Sequence, residues 1–179
     1  MNTTKISLSG LIIKSVVLHP VTYFLAGLVA ANLFNYAGLF AIPSLAGFMR
    51  PYDSVWVLLG PLFQPVRGVL FALALYPLRE SLFKRKFGWL VIWWLLVAIG
   101  ILSTYGPTPG SIEGMVYTVI TVPHHLRGLP EVLVQSAALA FGVVYLVNHP
   151  EKRWLHRLVL AAFVVLMVLP VLGLLVGPR

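Results

Sequence analysis

The sequence predicts an all-α fold: a polytopic transmembrane helix bundle forming one integral membrane domain over residues 1–179. Three observations predict it. Hydrophobic residues make up 59% of the chain and charged ones 10%, with a mean hydropathy of +0.92. An ordinary soluble domain is about 45–50% apolar and about 25% charged, so this chain has too few polar residues to cover a surface facing water. Several apolar stretches approach the roughly 20 residues a helix needs to cross a bilayer. The basic residues gather in alternate loops between those stretches, as membrane topology demands. An ordinary soluble enzyme, a disordered tail and a fibrous repeat are excluded.

Residues 1–20 place Leu11, Ile12, Ile13, Val16, Val17 and Leu18 around Lys14, a pattern expected of a short interfacial helix. Val29-Ala30-Ala31 resembles a signal-cleavage site, but the stretch before the apolar core is long, so the first helix is read as retained. The first span is expected near 21–47, interrupted by Asn32, Asn35 and Pro43. The second, near 54–78, contains Arg67. The third, near 88–105, opens on Trp89, Trp93 and Trp94, an aromatic belt at the membrane interface. Residues 106–130 open on Gly106-Pro107-Thr108-Pro109-Gly110-Ser111, which is turn chemistry, and hold only Met115 to Val122 as an apolar run. They are expected to be re-entrant or interfacial. The fourth and fifth spans are expected near 131–147 and 154–176.

Charge favours five spans over six. If 106–130 does not cross, Lys5, Lys14, Arg79, Lys84, Arg85, Lys86, Lys152, Arg153 and Arg157 share one face, which Glu80 and Glu151 reduce to +7. Arg50, Arg127 and Arg179 balance Asp53, Glu113 and Glu131 on the other, and Arg67 completes the chain's +8. A sixth helix over 112–128 sends the cluster around Lys152 to the wrong side. The expected orientation has the N-terminus cytoplasmic and the C-terminus outside, in a plasma (inner) membrane. The formal sequon Asn2-Thr3-Thr4 then stays inside. The basic excess is assigned to topology and anionic membrane lipids, with no nucleic acid as partner. The absence of cysteine excludes disulfides and thiolate chemistry.

Arg67 is the first candidate site residue. It lies 14 residues beyond Asp53, about 21 Å along a helix, where a charge costs at least ~2.5–3.5 kcal/mol unless it finds a partner or water. Pro61 and Pro65 are expected to kink the helix just before it. Gln64 and the freed carbonyls are natural partners for its guanidinium. Arg67 either binds an anion or lipid phosphate, or moves as a gating charge, or is clamped internally to Glu113 or Glu131. Asn32 and Asn35 share a helix face and are expected to bond across to Gln64, Gln135 or Ser136.

The second candidate is the loop holding Glu113, His124, His125 and Glu131. Imidazole and carboxylate can bind a transition metal or transfer protons. The spacing matches no ligand motif, and adjacent histidines in an extended stretch point opposite ways. A metal at His124 and His125 is therefore weighed against plain interface packing. Haem needs two axial ligands meeting at one iron. His19, His149 and His156 are expected near the inner face, away from His124 and His125, so haem is not expected. Gly27/Ala31 and Ala138/Gly142 permit close helix approach, within the chain or toward a homo-oligomer or membrane-complex partner.

Two functions remain. One is a transport or channel component, or a subunit of a membrane assembly, with Arg67, Gln64, Asn32 and Asn35 as binding residues. The other is a membrane-embedded enzyme acting on a lipid or exported molecule through the outer-face His/Glu group.

Overall fold

The computed structural model describes residues 6–176; Lys5, Arg179 and the Asn2-Thr3-Thr4 sequon lie outside them. The fold is all-α. Its helices are α1 (Leu8–Leu33), α2 (Tyr36–Phe40), α3 (Pro43–Ala46), α4 (Val55–Leu58), α5 (Gly60–Leu75), α6 (Arg79–Phe83), α7 (Gly88–Val97), α8 (Ile112–Tyr117), α9 (Val122–Arg127), α10 (Leu129–Asn148) and α11 (Arg153–Val176). A 3₁₀ turn joins α5 to α6, and a π-helical segment, Ala98–Leu102, extends α7. Four helical stretches are long and apolar enough to cross a membrane: Leu8–Leu33, Gly60–Phe83, Val122–Asn148 and Arg153–Leu175. The apolar stretch Gly88–Leu102 is shorter. These helices match a polytopic membrane bundle.

The first helix departs from the sequence expectation. Residues 8–33 form one continuous helix instead of an interfacial piece followed by a span near 21–47. Ser7 starts it by accepting the Gly10 N–H at 3.1 Å, the usual role of an N-cap serine. Pro20 sits inside without breaking it. The Thr22 hydroxyl donates to the His19 carbonyl at 3.0 Å, and packing against neighbouring helices sustains proline in such settings. The face carrying Leu11, Ser15, Leu18 and His19 is buried, so the segment is a core element. The helix stops because Asn35 adopts φ 49°, a left-handed conformation that asparagine tolerates through local side-chain bonding.

The second span is also offset. The helix is interrupted at Leu59 and then runs unbroken from Gly60 through Arg67. Pro61 occupies the first turn, where a missing N–H costs nothing. The break thus precedes both prolines instead of falling just before the arginine.

α1 packs on α5 and α10, and α10 packs on α7. Gly68 is buried, and a Cβ there would lie 2.7 Å from Val16 Cα and 2.8 Å from the Ser15 carbonyl oxygen. Only glycine lets these two backbones come so close. One core joins Leu11, Leu82, Phe83, Ile92 and Leu146, and Asn148 donates to the Phe83 carbonyl at 2.8 Å. The start of α1 and the two basic loops therefore share one end of the bundle. Ile120 packs with Leu39 and Leu45, so the loops around 34–54 and 106–130 share the other. Residues 106–130 hold two six-residue helices, α8 and α9, and not one helix over 112–128.

Candidate functional site

α1, α5 and α10 are tied by a buried chain of polar side chains. His19 is 1% exposed. Its Nδ1 lies 3.2 Å from Gln135 Nε2 and its Nε2 lies 3.1 Å from Gln64 Oε1. An amide nitrogen can only donate and an amide oxygen can only accept. The imidazole is therefore neutral, accepting at Nδ1 and donating from Nε2. Gln64 closes the chain by donating to the Gly60 carbonyl at 3.2 Å. The His19 ring meets Phe71 edge-on at 5.1 Å. His19, which falls in the segment expected to be interfacial, lies well inside α1. The displacement follows from the helix starting at Leu8 and not at residue 21.

Beside this chain lies a cavity of about 190 Å³. Arg67, Glu131, Gln135, Ser136, Tyr23 and Thr108 supply its polar lining. Gly100 and Ile101 of the π-helical segment form part of its wall; such segments widen a helix and recur at functional sites. A water needs only about 10–15 Å³ of such space, so the cavity accommodates several waters or a small solute.

Arg67 is seven residues into α5, about 10.5 Å along the helix from Gly60, nearer one end than counting from Asp53 implies. Its side chain is exposed, and its guanidinium lies 5.6 Å from the centre of the Phe71 ring. The ion pairs found among the described residues are Arg79–Glu80 and Lys84–Glu80. The expected clamp of Arg67 to Glu113 or Glu131 is not formed, and the guanidinium makes no hydrogen bond within the described chain. Gln64, its expected partner, is engaged with His19.

Glu131, in the first turn of α10, accepts a hydrogen bond from the Tyr36 hydroxyl. A Cβ on Gly27 would approach its other oxygen to 3.3 Å, so this small residue makes room for a carboxylate. Glu131 and Tyr23 also line a second cavity of about 450 Å³, together with Asn32, Asn35, Tyr36 and Tyr52. The asparagines do not bridge helices as expected. Asn32 donates to the Leu28 carbonyl of its own helix at 2.7 Å, and Asn35 accepts the Gly38 N–H at 3.3 Å. Short polar side chains find such local backbone partners readily.

Glu113, His124, His125 and Glu131 do not converge. Among the described residues no three metal-capable side chains come together. His125 is buried, accepts the Gly110 N–H at Nδ1 (3.0 Å), and meets the Thr118 hydroxyl at 3.3 Å. It pins the loop in place, with Gly110 at φ 90°. His124 instead meets the Thr121 hydroxyl at 2.7 Å. Glu113 occupies the first turn of α8, where a carboxylate complements the helix dipole. His149 bonds the Tyr145 carbonyl, and His156 the His149 carbonyl.

No protein-family model, curated protein or solved structure matches this chain.

Proposed function

We propose that the chain is a transport or channel component of a cell membrane, and that its solute binds in the cavity around Arg67. The observation that carries the reading is a guanidinium that lines a cavity and has no ionic partner among the described residues. A charge within an apolar bundle is costly unless it finds a partner or water, and an internal ion pair would offset part of that cost. An arginine kept free instead is suited to a passing anionic group. Gln135 supports the site by linking the cavity to the buried His19 chain, which fixes three helices around it.

The distribution of charge supports insertion with the basic end in the cytoplasm and Gly88–Leu102 as a fifth, short crossing, leaving the C-terminus outside. The chain contains no cysteine, so single cysteines report the orientation cleanly. Asp53→Cys and Val119→Cys should react with an impermeant maleimide on intact cells, and Lys86→Cys and Glu151→Cys only after permeabilisation. The reverse pattern would overturn this insertion.

Flux tests the function. Liposomes containing the full chain are loaded with labelled glycine, acetate or phosphate. At least one should leave faster than from protein-free liposomes. Arg67→Ala should slow that efflux at least about tenfold, the equivalent of one charge-assisted contact, with helicity and elution volume unchanged. Efflux equal to that of empty liposomes across the panel, or unaffected by Arg67→Ala, removes the reading.

A further inference from the structure

The cavity carries one charge of each sign, and the two do not meet. Arg67 and Glu131 both line it, yet no ion pair joins them, and each makes do with an aromatic neighbour. The guanidinium lies over the Phe71 ring, and the carboxylate accepts the Tyr36 hydroxyl. Two opposite charges lining one small, partly dry space are stabilised when each has a counter-charge. Side-chain collapse would supply both, but in the structure the two side chains have not closed into an ion pair. Arg67 is on α5 and Glu131 on α10, and those helices are tied through His19 by Gln64 and Gln135. A monoanion satisfies only Arg67, and a monocation only Glu131.

We infer that the cavity's ligand is amphoteric: a small group bearing an anion and a cation together, the anion on Arg67 and the cation on Glu131. This rests on the cavity being a binding site, as proposed above. The shared chemistry has two sources, a free zwitterion or the headgroup of an ethanolamine phospholipid. Both fit a space of about 190 Å³ reached past an exposed arginine.

Binding to the full chain in detergent separates these. Thermal stabilisation is measured with glycine, acetate and methylammonium. Lipid retention is measured by native mass spectrometry after exchange into phosphatidylethanolamine or phosphatidylglycerol. Glycine acting at about tenfold lower concentration than either single ion supports a free zwitterion. Preferential retention of phosphatidylethanolamine supports the headgroup. In either case Arg67→Gln and Glu131→Gln should each weaken the preferred ligand at least about tenfold, and Arg67→Lys and Glu131→Asp should restore part of it. If acetate matches glycine and Glu131→Gln changes nothing, the site is a plain anion site. That result overturns the inference while the transport reading stands. Equal action by methylammonium, or no binding by any probe, also overturns it. The comparison of ligands on the unmodified chain decides the matter even if a variant does not fold.

Discussion

Gly68→Ala should lower the thermal stability of the detergent-solubilised chain, and Gly68→Leu should prevent it from folding. Two effects oppose each other at this position. Alanine is a better helix former than glycine by about 0.8–1.0 kcal/mol. Against that, its Cβ would sit 2.7 Å from Val16 Cα and 2.8 Å from the Ser15 carbonyl oxygen. Both are backbone atoms, so the clash cannot be relieved by turning a side chain, and α1 must move off α5. Overpacking of this kind costs typically about 1–3 kcal/mol, so the clash wins. The same movement would pull His19 away from Gln64, adding an unsatisfied buried donor at about 1–3 kcal/mol. Gly173→Ala is the control: nothing lies within 4 Å of its Cβ position, so only the helix-propensity gain remains. Melting followed by circular dichroism should rank Gly68→Ala below the parent and Gly173→Ala at or above it. A parent-like melting temperature for Gly68→Ala would show that the two helices are not held by this contact.

The class and the coarse element order were legible because hydrocarbon is an exacting solvent. Apolar runs near 88–105, 131–147 and 154–176 lie close to the helices starting at Gly88, Leu129 and Arg153. The turn residues after Gly106 precede two short helices, the second of which, α9, runs almost directly into α10 in the candidate span Val122–Asn148. The first helix was misplaced because the apolar residues around Lys14 read as a short interfacial segment ending before residue 21. Neither Lys14 nor Pro20 interrupts the helix, whose buried face is set by Leu11, Leu18 and its partners on α5 and α10. That shift concealed His19, whose only sequence signal was a polar residue inside a 26-residue helical stretch. Arg67 and Glu131 stood out as charges in an apolar chain. Their convergence on one cavity without pairing is a property of helix packing, which composition and spacing do not carry. The divergence expected of adjacent His124 and His125 is seen, but through a helix turn and not an extended stretch: one ring meets Gly110 and the other Thr121.

Gly100 offers the most direct access to the proposed site. It lines the cavity with Arg67 and Glu131, and nothing lies within 4 Å of its Cβ position, so Gly100→Cys adds a lone thiol without displacing a neighbour. The measurement is its rate of modification by a small anionic methanethiosulfonate in liposomes, with Arg67 present and with Arg67→Gln. Two unit charges about 10 Å apart in surroundings of effective dielectric ~20 interact by about 1.7 kcal/mol, more than tenfold in rate. The expected result is prompt reaction that Arg67→Gln slows by about tenfold, while a cationic reagent of the same size is not slowed. A thiol that stays unreactive, or one modified by the anion at the same rate with and without Arg67, would contradict an open interior cavity governed by a free guanidinium.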